Sequence, residues 1–151
     1  MPKPTTHRRA FERVHFTGRL EHDDLPALLA NSSAQVVPST FPEAFGMVAA
    51  EAAACGVLPV VAGHSGMAEV ARSLAGAVAP EVAPWLTFAV GAGAVEELAD
   101  GLAGWLQAPA EVRARTREAI VAVARERYSW DGVTRTVIAA ARGELDGLPH
   151  P

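Results

Sequence analysis

Cysteine is nearly absent from the 151 residues: Cys55 is the one thiol. A single thiol closes no internal disulfide, which fits a reducing compartment and a cytoplasmic protein. No base stands beside it to make a nucleophile, so it reads as packing near a helix end. Long apolar runs are missing too. None reaches the roughly 18 residues that a transmembrane segment requires, and Met1 to Arg13 is polar, without the apolar core of a secretory leader. Positive charge is not in excess. Thirteen Lys and Arg stand against 17 Asp and Glu, a net charge of −4, which argues against nucleic acid or an anionic membrane as the main partner. The five histidines show no metal-ligand spacing, and there is no internal repeat.

What is there suits one domain of ordinary size. Half of the residues are hydrophobic, enough for a sizeable core, and alanine is abundant, which favours helices. Residues 1–12 read as a loose segment or junction. Arg13 to Gly18 reads as a short strand, with Val14 and Phe16 alternating with polar neighbours. Gly18-Arg19-Leu20 is the loop after it. Asp23-Asp24 ahead of Leu25-Pro26 signals a helix with an Asp N-cap and Pro in the first turn, stopping at Asn31-Ser32. Ala34 to Val37 reads as a strand. So does Val57 to Ala62, whose unbroken apolar run suits a parallel sheet covered on both faces.

Gly63-His64-Ser65-Gly66 follows the carboxyl end of that second strand, where open α/β sheets hold ligands. Its glycines would let backbone approach a phosphate or sugar closely. His64 reads as an exposed loop histidine without a partner. Met67 to Leu74 is a predicted helix, and Gly76 to Ala79 and Leu86 to Val90 are predicted short strands around a turn at 81–84. After the turn Gly91-Ala92-Gly93, residues 95–106 have helical spacing, with Val95, Leu98, Leu102, Trp105 and Leu106 facing inward. Glu111 to Arg127 is a long helix with Ile120, Val123 and Ala124 inward. Ser129 caps a last helix from Trp130 to Arg142, and Gly143 to Pro151 is a tail. Seven of the 13 basic residues fall between Arg113 and Arg142, interspersed with Glu, which describes a solvated face. The alternation predicts an α/β fold: a Rossmann-like parallel sheet flanked by helices and ending in a helix pair.

The rest of the chain is organised around Val37 to Gly56. Pro38 to Pro42 is a breaker-rich loop. Residues from Phe45 or Gly46 to Cys55 form helix, and Gly56 stands where a helix-ending glycine belongs. Two carboxylates, Glu43 and Glu51, are separated by seven residues. Eight helical steps span about 12 Å, comparable with a nucleotide diphosphate-sugar from ribose to sugar. Carboxylates accept hydrogen bonds from polyols, and the helix amino end between them suits a diphosphate. Spacing alone favours a plainer reading, with Glu43 stabilising the helix dipole and Glu51 on a solvated face.

Pro38-Ser39, Pro42-Glu43-Ala44-Phe45-Gly46, Glu51-Ala52, Gly56 and Pro59-Val60-Val61-Ala62 together resemble the E-x7-E signature of retaining glycosyltransferases with the GT-B fold. The group resembled is glycosyltransferase family 4, the group 1 transferases. Val14 to Gly18, Asp24 to Ala30, Gly63 to Val70 and Tyr128-Ser129-Trp130 resemble its other motifs, in the family's order, over roughly residues 13–142. The resemblance implies a donor-binding carboxyl-terminal domain. Glu43, Ala44, Phe45 and Gly46 would hold the donor sugar, Gly46, Met47 and Val48 the phosphates, and Glu51 the ribose. Arg19 and Leu20 would lie beside the nucleobase, although Arg19 reads equally as a solvated loop charge. No cofactor and no metal are implied. The donor would be a nucleotide diphosphate-sugar linked to UDP, GDP or ADP.

The resemblance also implies that the domain is incomplete. The family's first donor-domain strands, with the Arg and Lys that hold the diphosphate, have no counterpart, and Gly18-Arg19 lies too late in order to be that motif. The acceptor-binding amino-terminal domain has none either. Residues 79–91 depart most from the pattern, since Gly91-Ala92-Gly93 replaces a loop that carries Asp. Weak donor binding and no turnover by this chain alone are expected, along with an exposed sheet edge able to pair with itself or a partner. The alternative is a non-catalytic, flavodoxin-like binding or assembly module that dimerises or docks to a separate half. A sugar-nucleotide 2-epimerase matches less of the sequence.

Overall fold

The computed structural model describes residues 13–146 and 148. The loose segment expected at 1–12, and residues 147 and 149–151 of the tail, lie outside the described residues.

A 3-10 turn at His22–Asp24 leads into α1 (Leu25–Ala30). Then come β1 (Ala34–Val37), α2 (Met47–Ala54), β2 (Leu58–Ala62) and α3 (Ser65–Ala75). A second 3-10 turn at Ala83–Leu86 precedes β3 (Thr87–Phe88). Three helices finish the chain: α4 (Ala94–Gln107), α5 (Ala110–Tyr128) and α6 (Trp130–Ala141). The strands form one parallel sheet in the order β1-β2-β3, with Val36 opposite Val60 and Ala62 opposite Phe88. Parallel pairing follows from the helical crossovers, α2 between β1 and β2 and α3 between β2 and β3. The result is an α/β fold with a Rossmann-like parallel sheet flanked by helices and a closing helix pair.

β2 is buried along its whole length, as its unbroken Leu-Pro-Val-Val-Ala run requires of a central strand. Ala49, Ala50 and Ala53 of α2 meet Ile120 and Ala124 of α5 in the main core. Alanine on both sides lets these helices approach closely. Trp105 of α4 is fully buried, and its Nε1 donates to the Ser33 carbonyl at 2.7 Å. That bond ties α4 to the start of β1 and satisfies the one polar atom of a large buried ring. A smaller cluster of Leu29, Ala52, Val57 and Cys55 holds α1 against α2, with Cys55 at the end of α2.

Two helix ends match their sequence signals. Gly56 has φ 74°, the left-handed conformation that closes α2. Ser129 caps α6, its hydroxyl accepting from the Gly132 amide at 3.0 Å. At α1 the expected cap is absent. Asp24 is already helical and its side chain makes no capping bond, because the 3-10 turn before it supplies the entry.

Several strand expectations are corrected. Arg13 to Gly18 forms no strand. Its apolar alternation is real, but a strand exists only through a ladder, and no neighbour pairs with it among the described residues. Phe16 accordingly stands 89% exposed. Residues 76–79 form a turn, closed by the Ala77 amide on the Leu74 carbonyl, rather than a strand. The strand expected at 86–90 shortens to two residues. In α4 the inward face holds Trp105, Leu98 and Leu102, whereas Val95 and Leu106 are exposed.

Candidate functional site

The loop of residues 38–46 and the turn of residues 63–65 lie together, following β1 and β2, and they interlock through two glycines. Gly46 has φ 77°, and a Cβ there would stand 2.9 Å from the Met67 backbone. A Cβ on Gly66 would stand 2.5–2.6 Å from the backbone of Phe45. Two backbones at this separation leave no space for a side chain on either, so both positions require glycine. Hydrogen bonds reinforce the contact. The Glu43 amide donates to Ser65 Oγ at 3.0 Å, and the Gly66 amide donates to the Glu43 carbonyl at 2.9 Å. Glu43 is half-buried at this junction.

His64 has partners, contrary to the sequence reading. Its Nε2 lies 2.9 Å from the Ser39 carbonyl and its Nδ1 lies 3.1 Å from Ser65 Oγ. The ring is half-buried rather than exposed. Sequence gave no hint of the first contact, because 25 residues separate the partners. The pairing of Gly63 and Gly66 around His64 and Ser65 was the only local sign that this turn approaches another backbone.

Beyond Gly46 the chain enters α2. The amides of Met47 and Val48 make no hydrogen bond among the described residues, as expected for the first turn of a helix. Open amides of this kind, with the helix dipole behind them, favour negative charge. Phe45 is braced from the other side by an edge-to-face contact with Tyr128, ring centroids 5.7 Å apart. The Tyr128 hydroxyl lies 2.7 Å from Ser73 Oγ. Ser73 directs its own proton to the Val70 carbonyl at 2.8 Å, so Tyr128 is the donor. Tyr128 thus joins α5, α3 and the loop, a role the sequence did not single out.

Glu51 lies a full turn into α2 and is half-buried. Its carboxylate makes no ion pair or hydrogen bond among the described residues. It borders two shallow clefts. One, of about 150 Å³, runs along α5 past Met47, Arg125 and Tyr128. The other, of about 140 Å³, lies against α1 and is lined by His22, Leu25 and Pro26. His22, which the sequence reading did not single out, is therefore brought towards Glu51 by the turn after the 18–20 loop. Arg19 and Leu20 border neither cleft. Arg19 is exposed and pairs with Glu21 at 3.5 Å, both side chains in solvent, which contributes little. Of the candidate residues only Met47 and Glu51 border these clefts; Glu43 to Gly46 belong to the interlocked loop that leads into α2, and Arg19 and Leu20 lie on a separate segment. A larger cavity of about 460 Å³ opens elsewhere, between residues 77–81 and the first half of α5, and holds none of them. Among the described residues no group of three or more His, Cys, Asp or Glu is placed to hold a metal ion.

The family of glycosyl transferases group 1 matches residues 3–123. The chain belongs to this family. Its relatives include two mycobacterial proteins. Glycogen synthase of Mycobacterium tuberculosis is 32% identical over 146 residues, covering 94% of this chain and 32% of the relative. D-inositol 3-phosphate glycosyltransferase of Mycobacterium avium is 37% identical over 131 residues, 86% of this chain and 28% of the relative. The chain spans about a third of the length of the curated relatives it matches. No solved structure gives a significant match. Within the group 1 family the parallel sheet and its loops agree with a GT-B carboxyl-terminal domain.

Proposed function

We propose that residues 13–142 are the donor-binding part of a retaining glycosyltransferase, taking a nucleotide diphosphate-sugar whose hexosyl group goes to an acceptor held elsewhere. The observation that carries this reading is the arrangement around α2. Among the described residues a carboxylate without a protein partner, Glu51, and a second at a built junction, Glu43, flank the unbonded amides of Met47 and Val48. In this reading Glu43 accepts from sugar hydroxyls beside the backbone of Ala44 to Gly46. The amides of Gly46 to Val48 meet the phosphates, and Glu51 accepts from the ribose. Arg19 and Leu20 approach the base only if the 18–20 loop closes towards Glu51. The family resemblance supports retention at the anomeric carbon.

A diphosphate leaving group needs positive charge, and among the described residues the amino end of α2 supplies a partial one, with Arg125 bordering the cleft beside Met47. Donor binding by this chain is therefore weak, and turnover requires the acceptor-binding domain and the diphosphate-holding basic residues that longer group 1 relatives have room for. No helix among the described residues is long and apolar enough to cross a membrane. The lone thiol is what supports a cytoplasmic setting.

The test is titration calorimetry with UDP, GDP, ADP and UDP-glucose. One nucleotide binds saturably, and Glu51→Ala weakens it about tenfold to a hundredfold, the worth of a charged hydrogen bond of about 1.5–3 kcal/mol. No heat at millimolar ligand from the folded chain rejects donor binding. A second reading rests on one observation. The outer edge of β1 and the whole of residues 13–21 lack a strand partner among the described residues. An assembly module would fill that edge with a second copy or a separate half, and its mass in sedimentation would rise with concentration.

A further inference from the structure

The turn between β2 and α3 carries more chemistry than the proposed donor contacts use. Ser65 has φ 52°, the only residue other than glycine with positive φ among the described residues. Glycine adopts that conformation without strain, whereas a serine there is disfavoured. Three glycines lie within or beside this turn's contacts (63, 66 and 46), so glycine is no stranger to it. What glycine would lack is the hydroxyl, and the hydroxyl is fully engaged. Ser65 Oγ accepts from the Glu43 amide and lies 3.1 Å from His64 Nδ1.

The directions of these bonds follow from what each group can do. The Ser39 carbonyl only accepts, so His64 Nε2 carries the proton. In the Nε2–H tautomer the ring accepts at Nδ1, and the Ser65 hydroxyl donates to it. Ser65 Oγ in turn accepts from the Glu43 amide. The chain runs without a mismatch from Glu43 through Ser65 and His64 to Ser39, and closes the 39–43 loop onto the amino end of α3. The Gly66 amide on the Glu43 carbonyl completes it.

We propose that His64 and Ser65 are positioning residues: a hydrogen-bonded clasp, built on the Nε2–H tautomer of His64, that fixes the backbone of Glu43 and so aims its carboxylate. The clasp rests on geometry alone. Its consequence for a sugar ligand rests on the donor-binding reading above. The two are separable, because the clasp has readouts that need no ligand.

The experiment uses the whole 151-residue chain. Long-range proton–nitrogen NMR spectra of the imidazoles, with His64 assigned by its loss in His64→Gln, show nitrogen shifts of an Nε2–H ring. Amide hydrogen exchange shows Glu43 protected. In Ser65→Gly the backbone strain is relieved while the hydroxyl is lost. The thermal midpoint holds or rises, yet the Glu43 amide exchanges at least tenfold faster, with Val60 and Val61 of the central strand unchanged. A merely structural serine would not separate these two readouts. His64→Ala gives the same acceleration. His64→Gln, which keeps a donor for the Ser39 carbonyl, gives a smaller one. In titrations of UDP-glucose against UDP, GDP-mannose against GDP and ADP-glucose against ADP, Ser65→Gly lowers the preference for the sugar-bearing ligand at least threefold, with nucleotide affinity kept. An Nδ1–H tautomer, or Glu43 exchange within twofold of wild type in both Ser65→Gly and His64→Ala, overturns the clasp. Failure of the wild type to bind any of the six ligands overturns its role in donor binding, while tautomer and exchange still decide the clasp.

Discussion

Gly66 shows how much rests on single positions. A methyl group there would stand 2.5–2.6 Å from the Phe45 backbone, so Gly66→Ala must push the 38–46 loop away from α3. Overpacking of this kind costs about 1–3 kcal/mol. We expect that loss in urea unfolding, with altered amide shifts spreading through residues 43–47. Gly76 makes a control, since a Cβ there has no neighbour within 4 Å and its φ is −68°. Tyr128→Phe is gentler. It keeps the edge contact with Phe45 and removes the bond to Ser73, a loss of about 0.5–1.5 kcal/mol of stability in the same assay. At this scale the sequence disclosed what local rules control and little else. Gly56 was legible because a left-handed glycine after a helix is a local event. His64 was not, because its acceptor lies on another loop. Tyr128 resembled a family motif, yet nothing in the sequence said that its ring meets Phe45.

Elements behave likewise. Helices α2, α4, α5 and α6 were legible because their apolar spacing, breakers and caps all lie within the element. The Ser129 cap illustrates this, and it also permits the sharp α5–α6 corner. A Cβ on Gly132 would collide with the Glu126 carbonyl, so the corner needs a glycine where the capping bond arrives. Ser129→Ala should cost about 1 kcal/mol, read as a lower urea midpoint, with helical signal lost from α6 before α5. Strands were less legible. Val14 and Phe16 alternate as a strand does, but alternation states only that one face is apolar. Whether a ladder forms depends on a neighbour, and the stretch has none among the described residues. Residues 76–79 failed for another reason. Val78 and Ala79 pack partly against the core from a turn, so their apolar character reflected burial and not extension.

At the scale of the whole molecule, the three tryptophans report on separate regions. Trp105 is fully buried, Trp85 is half-buried and Trp130 is 87% exposed at the start of α6. Val133, Val137 and Ile138 extend the exposed apolar surface along that helix. Acrylamide should therefore quench one strongly accessible component that Trp130→Phe removes, leaving the fluorescence of Trp105 largely shielded. A quenching constant that falls as protein concentration rises would show that another copy covers α6. The carboxyl-end loops, α2 and the parallel sheet belong to one body, and the sequence conveyed that architecture well because βαβ alternation is a global pattern. The loop hydrogen bonds that shape the candidate site are the part it withheld.

The two facing glycines have a thermodynamic consequence. With the backbones of Phe45 and Gly66 in direct contact, the 38–46 loop has few conformations to lose when a ligand arrives. Its ordering entropy is met during folding, not during association. Whatever binds there should do so with little rearrangement, with a rate set by encounter and with an affinity that depends on the groups it meets. Loosening that contact by mutation would transfer the same entropy to the binding step, weakening a ligand that touches none of the altered atoms.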